Sequence, residues 1–245
     1  MHVIFVSPEF PAGQLHFVRA LHAVGARITG IGEAPASSLG SQTRKWLDAY
    51  EQVPSVCHLS SLYDAVRRVQ KREWVDRLEA TIEAHILPVA KVRAETGIPG
   101  MRPEVAVLCR DKPQMKRFFR QHSIPCAAST AAETMGEVQA FAAQVGYPLI
   151  LKPRDGAGAA GTIRVDSEDE LLAAFRISGG GDGHSIAVEE FIQGHEGFYD
   201  TLTVGGEVAH DFISHYYPNV LEAMRTRWIS PQIGVTKRTD VAGYS

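Results

Sequence analysis

The spacing of apolar positions changes period several times along this chain. Residues 3–6 form a compact apolar run of strand length. Leu15, Val18, Leu21 and His22 recur at helical spacing over residues 13–24, and residues 27–31 read as a second strand. Strand, helix and strand in that order predict a parallel sheet with helices packed on it. Helices are then expected near 42–50 and over 61–71 and 74–96, with a short strand near 52–57. The last helix stops at Gly97-Ile-Pro-Gly100, and a domain boundary is expected between residues 100 and 110.

The second half follows a different rhythm. Asp111 reads as the cap of a helix whose inner face is Met115, Phe118, Phe119 and His122. Thr134 and Glu137 form a capping box ahead of a helix burying Val138, Phe141, Ala142 and Val145. Ser167 and Glu170 form another, ahead of Leu171, Leu172 and Phe175. Between these helices lies the apolar run 149–151, closed by Lys152, then a Gly/Ala loop and a β-leaning stretch at 162–165. Strands follow at 186–191, 198–204 and 207–213, with Gly205-Gly206 as a hairpin turn. The last clear strand is followed by residues 215–228, and then by an irregular tail.

Gly156, Gly158 and Gly161 spell G-x-G-x-x-G, but a dinucleotide site needs that glycine run to open a helix. Here it runs into Thr162, Ile163 and Val165, so the loop is a hairpin tip between two strands. It lacks the Gly-Lys-Ser/Thr ending of a Walker A loop. What remains is a loop nearly free of side chains, whose backbone N–H groups can approach an oxyanion, with Lys152 on the strand before it. That combination suits a triphosphate. Lys112, in the first turn of its helix, is unfavourable against the helix dipole. The position suits either a lysine turned towards an anion or a solvated one.

Composition narrows the field. The chain of 245 residues carries a net charge of -3, with 44% hydrophobic and 22% charged residues. These are ordinary globular values, and they give no electrostatic case for nucleic acid or an anionic membrane as partner. Cys57, Cys109 and Cys126 are odd in number and far apart, which fits reduced thiols of a cytoplasmic protein better than disulfides or a zinc site. No apolar run is long enough to span a membrane.

Three features in order then resemble the ATP-grasp superfamily of carboxylate–amine and carboxylate–thiol ligases, biotin carboxylase-like and amino-acid ligase-like members included. They are Asp111-Lys112 at a helix start, Tyr147-Pro-Leu-Ile-Leu-Lys-Pro153 with its Gly-rich hairpin, and Val188-Glu-Glu-Phe-Ile-Gln-Gly-His-Glu196. The resemblance implies an α/β chain in three parts. Residues 1–108 would be a Rossmann-like domain preceding the grasp, 109–184 the first grasp lobe, and 185–245 the start of a second, incomplete lobe. It implies ATP as cofactor, with Lys112 and Lys152 on the phosphates and Gly156, Ala157, Gly158, Ala159, Gly161 and Thr162 covering them. A Glu189 or Glu190 carbonyl and the Ile192 N–H, with Phe191 between them, would meet adenine, and Glu196 would hold the ribose hydroxyls. The implied chemistry is attack of a substrate carboxylate on the γ-phosphate, then capture of the acyl phosphate by an amine or another nucleophile.

The family's metal-binding carboxylates lie late in the second lobe, so ligands for Mg²⁺ are expected beyond residue 245. Glu207, Asp211 and Glu222 stand in no recognisable metal motif. Arg225 and Arg227 suit either a substrate carboxylate or phosphate, or a solvated rim. A nucleotide-binding fragment or regulatory module without catalysis is the alternative. An incomplete lobe would expose strand edges, which predicts self-association or local disorder after about residue 205.

Overall fold

The computed structural model describes residues 1–154, 161–181, 183–226 and 232–238. The chain divides into two compact units, Met1–Phe118 and Phe119–Ser245.

The first unit is built on β1 (His2–Val6), β2 (Arg27–Gly32), β3 (Ala49–Gln52) and β4 (Arg77–Glu79). They form one parallel sheet in the order β3-β2-β1-β4. Every residue of β1 is buried, as expected of a parallel strand covered on both faces. Alternation sends Ile4 and Val6 to a core shared with Leu62, Val66, Val89 and Val92, while Val3 and Phe5 join Val18 and Ile28 on the other side. The first core is supplied by α3 (Leu59–Gln70) and α4 (Ile86–Thr96), the second by α1 (Gln14–Ala23).

The expected β-α-β opening is present, but two later segments differ. The helix expected over 42–50 ends early, as α2 (Ser41–Trp46), and the strand lies at β3 instead of 52–57. The helix expected over 74–96 begins only at Ile86, and its first part is strand β4. Val75 and Leu78 fit a helical stripe. Pairing of Val3 with Arg77 and Ile4 with Leu78 buries both apolar residues, and that tertiary contact overrides the local pattern. His2 fixes the junction: its N–H donates to Asp76 Oδ2 at 2.7 Å, while its ring meets Thr29 Oγ1 at 2.8 Å and the Trp74 carbonyl at 3.0 Å. Buried Arg93 on α4 donates to the Leu78 carbonyl at 2.6 Å and to Glu79 Oε2 at 2.8 Å, tying the end of β4 to the helix. Next come α5 (Pro103–Arg110) and α6 (Lys112–Gln121). Asp111 Oδ1 accepts the Gln114 N–H at 2.9 Å, as expected of a cap. Of the four residues expected on the inner face of α6, Met115 and Phe119 are half-buried, whereas Phe118 and His122 are exposed.

The second unit carries two antiparallel sheets. The first has the order β5-β8-β6-β7, from Ser129–Ala132, Ile186–Glu190, Leu149–Pro153 and Ile163–Val165. Its apolar face packs on α7 (Met135–Val145) and α8 (Glu168–Ile177). The Thr134 capping box forms in full, each partner holding the other's backbone N–H. At Ser167 the expected box does not form: Glu170 accepts the N–H of Asp166 at 2.9 Å instead of that of the cap, and the serine side chain caps nothing. Leu171 and Phe175 point inward with Ala174, but Leu172 is half exposed, because a helix of this length presents one narrow stripe to the sheet. Strand β8, at the start of the stretch expected as a second lobe, is a central strand of this sheet.

The second sheet runs β11-β10-β9, from Gln232–Thr236, Glu207–Tyr217 and Gly197–Val204. Gly205 and Gly206 make the expected two-residue turn, with φ of 60° and 92°. The strand expected over 207–213 extends to Tyr217 and is followed by α9 (Val220–Thr226), and β11 lies in the stretch expected as an irregular tail. Leu202, Val204, Ile233 and Val235 are exposed.

Candidate functional site

The register of β6 against β8 builds the site. Ile150 lies opposite Glu189 and Lys152 opposite Ala187, so these four share one face of the sheet. Arg164 of β7, opposite Ile150, joins them. The other face, with Leu149, Leu151, Val165, Ile186 and Val188, is the apolar core against α7 and α8. One face of the sheet is thus built for packing, and the other carries cations and an acid.

The Lys152 Nζ donates to Glu189 Oε2 at 2.6 Å, and the two side chains are 19% and 7% exposed. Charges this far out of water need matching, and the short contact supplies a counter-charge to both. Lys152 therefore stands ordered on the last turn of strand before the Gly/Ala loop. The loop returns at Gly161, whose φ is 68° and where a Cβ would crowd the Pro153 ring at 3.0 Å. Only glycine fits that return. Gly156, Ala157, Gly158 and Ala159 lie outside the described residues, and Thr162 is half-buried.

After β8 the ladder stops for a local reason. The Phe191 N–H donates to the Pro148 carbonyl at 3.2 Å, and proline has no N–H to give back. Glu190 turns away from Lys152: its Oε2 accepts the Ala128 N–H at 3.0 Å, closing the end of β5. The Phe191 ring lies under the Arg164 guanidinium at 4.4 Å, and that guanidinium is also held by Asp166 at 2.7 Å. The Ile192 side chain is 61% exposed, and its N–H donates to none of the described residues. Among the described residues this backbone donor is thus unengaged, one residue beyond Phe191 and past the end of β8.

Glu196 is occupied. Its Oε2 accepts the Val220 N–H at 2.7 Å, capping α9, and its own N–H donates to Asn219 Oδ1 at 2.9 Å. Asn219 also donates to the Gly194 carbonyl at 2.8 Å. The segment from Gly194 to Glu196 is thereby pinned to the start of α9, a role for Asn219 that Pro218-Asn219 ahead of an amphipathic stretch would have signalled. Lys112 is the first residue of α6 and belongs to the first unit. Arg225 lies on α9, and Arg227 lies outside the described residues. His210 pairs across the sheet with Leu202, and Asp211 accepts the Tyr199 hydroxyl at 2.7 Å. Among the described residues no group of three His, Cys, Asp or Glu side chains could hold a metal ion. No helix among them is long and apolar enough to cross a membrane.

Residues 111–197 match the family described as the ATP binding domain of the carbamoyl-phosphate synthase L chain. The matched stretch contains Lys112, the hairpin, the Lys152–Glu189 pair and Glu196. The chain is 28% identical over 184 residues to an L-arginine-specific L-amino acid ligase of Bacillus subtilis, an alignment covering 73% of this chain and 45% of the relative. It is 30% identical over 114 residues to a D-alanine–D-alanine ligase of Ectopseudomonas mendocina, covering 46% and 36%. The chain therefore spans less than half the length of these relatives. Among solved structures, an L-amino acid ligase from Bacillus licheniformis superposes with a TM-score of 0.69 at 20% identity, covering 88% of this chain and 50% of that one. The biotin carboxylase domain of a Hydrogenobacter thermophilus 2-oxoglutarate carboxylase, in complex with MgADP, superposes at 0.68 with 16% identity, covering 97% and 61%. Over residues 111–197 the chain is thus similar to ATP-grasp proteins, its curated relatives include amino-acid ligases, and the solved structures share its fold.

Proposed function

We propose that this chain binds ATP on the charged face of the β5-β8-β6-β7 sheet and serves ATP-dependent ligation of a small-molecule carboxylate to an amine or other nucleophile. The observation that carries the reading is the ordered Lys152 ammonium, held by Glu189 at the mouth of the Gly/Ala hairpin. In this reading Lys152 meets phosphate oxygens, a charge-assisted contact in a poorly hydrated setting. The Ile192 N–H and the carbonyls of Glu189 or Glu190 take the adenine edge. Glu196 Oε1, the oxygen not engaged by Val220, faces the ribose hydroxyls. Phe191 and the loop from Gly156 to Thr162 complete the cradle, and Arg225 and Arg227 lie with the acceptor substrates. The chemistry then follows from holding the carboxylate in line with the γ-phosphate and offsetting its charge.

A magnesium ion would accompany the triphosphate in such a protein. The described residues offer no three-ligand set for one, so no step here runs through it. The second reading is a nucleotide-binding module that does not turn over. Calorimetric titration with ATP and a non-hydrolysable analogue, with and without Mg²⁺, tests both on wild type and Lys152→Ala. Saturable binding weakened about tenfold or more by Lys152→Ala, equivalent to roughly 1.4 kcal/mol, supports the nucleotide site. Equal binding by both proteins refutes it. Release of ADP with a carboxylate and an amine present separates the ligase from the module.

A further inference from the structure

The first unit has its own unexplained polar cluster, at the end of its sheet where open parallel sheets bind ligands. The strand order β3-β2-β1-β4 reverses direction between β1 and β4, so the crevice beyond their carboxyl ends is a topological switch point. The loops after β1, β2 and β4 meet there. Across the switch point, buried Gln14 accepts the Thr81 hydroxyl at 2.7 Å. Glu9, from the loop after β1, lies over Gly32 at the end of β2, where a Cβ would collide with the Glu9 carboxylate and the Tyr50 hydroxyl. Its Oε1 accepts the N–H groups of Glu33 at 3.0 Å and Ala34 at 3.4 Å. Its Oε2 is buried and has no partner among the described residues.

Glu33 follows directly. Its Oε1 accepts the Val56 N–H at 2.9 Å, and the next residue, Cys57, reaches the Ala84 carbonyl at 3.9 Å. This chain of contacts brings the loop after β4 to the same place, with His85 next to Ala84. His85 is 8% exposed, and its Nδ1 is buried with no partner among the described residues. Two buried polar atoms, on a carboxylate and an imidazole, therefore have no partner among the described residues. An unmet buried polar atom costs about 1–3 kcal/mol, and native folds retain such atoms where something else meets them. The charges that act on the His85 ring are those of Glu33 and Glu9. That field repels anions. The described residues also lack a three-ligand metal set, so the chemistry favours a cation that donates hydrogen bonds.

We propose that this crevice binds a small organic cation, an ammonium or guanidinium group, with Glu9 and Glu33 as its carboxylate partners and His85 as a neutral acceptor. Glu9 Oε2 takes the charge-assisted bond. His85 Nδ1 accepts a second N–H, with the ring proton on Nε2. Tyr50, whose phenol is held un-ionised by burial and by the charges of Glu9 and then Glu33, closes one side. If the ligase reading holds, the cation is the ammonium end of a substrate, and this identification rests on that reading. Binding of the cation does not.

The test uses the full chain without nucleotide. Cadaverine is titrated by ligand-observed saturation-transfer NMR, with 1,5-pentanediol as its neutral counterpart, on wild type and Glu9→Gln. The amide oxygen of the variant can still accept from Glu33 and Ala34. Expected results are saturable cadaverine binding, no binding of the diol, and at least tenfold weaker binding by Glu9→Gln. Absence of cadaverine binding, equal binding of the diol or undiminished binding by the variant overturns the proposal. If Glu9→Gln fails to fold by circular dichroism, the decision passes to wild type. There, cadaverine must shift the His85 ring resonances, and unshifted resonances overturn the proposal. Because no ATP is present, loss of the nucleotide reading leaves this result intact, and the reverse holds too.

Discussion

Strands β1 and β6 have similar apolar runs and opposite duties. β1 buries residues to both faces, and nothing on it is charged. β6 sends Leu149 and Leu151 into a core but turns Lys152 onto the other face, against Glu189. The difference lies in what covers each sheet. Helices α1, α3 and α4 cover the parallel sheet on both sides, so β1 has no face to spare for chemistry, and its unit's polar groups gather beyond the strand ends. The antiparallel sheet packs helices α7 and α8 on one face, and its second face carries the ordered charges. In the first unit a ligand site can arise only at strand ends; in the second it can lie on the sheet itself.

The largest expected effect tests whether β1 is purely structural. Ile4→Ala should lower the unfolding free energy by about 4 kcal/mol, the cost of emptying a fully enclosed site, measured as a shift in urea midpoint at constant slope. ATP affinity of the protein that remains folded should change less than about twofold, within the roughly 0.4 kcal/mol that distant sites usually leave uncoupled. A tenfold loss of affinity would mean that β1 supports the nucleotide face directly, and the contrast between the strands would fail.

The second effect sharpens the contrast from the other side. Lys152→Ala removes the ammonium held by buried Glu189 and should cost about 3 kcal/mol of stability. The paired change Lys152→Met with Glu189→Leu should return most of that stability, since an apolar pair fills the same space without desolvated charge. It should not return ATP affinity. Recovery of both would show that the ammonium is a structural device; recovery of neither would show that the pair orders more of the sheet than its own contact.

These expectations also mark how far the residues could be read in one dimension. The β-α-β opening, the Thr134 cap, the Lys152 hairpin and the Gly205-Gly206 turn all follow from signals within a few residues, and all are present. The Lys152–Glu189 pair is separated by 37 positions and exists only through the register of β6 on β8, which no local pattern specifies. Strand β4 was hidden because Val75 and Leu78 satisfy a helical stripe as well as a strand. Glu196 was expected on ribose, and its bond to the Val220 N–H was invisible without α9. The cluster of Glu9, Glu33 and His85 had no signal at all. It depends on three loops converging, and on a glycine at position 32 that reads in the sequence as an ordinary strand end.

The smallest effect concerns that cluster. Burial holds the His85 pKa below its ordinary value, against the opposing pull of the Glu33 and Glu9 carboxylates. The folded protein therefore refuses a proton that the unfolded chain accepts near pH 6.5. With more protons on the unfolded state, stability must rise with pH across this window. The contribution is complete above about pH 7 and declines as pH falls through about 6.5 towards the lower folded value. Glu9→Gln removes one of the two carboxylates that favour the imidazolium, so the His85 titration followed by NMR should move to still lower pH. Bound cadaverine should move it the same way, by placing a positive charge beside the ring. A His85 that titrates at or above the ordinary histidine value, or that ignores Glu9→Gln, would mean the ring and the carboxylate do not share one site. The first unit would then have no ligand crevice to set against the charged face of the second.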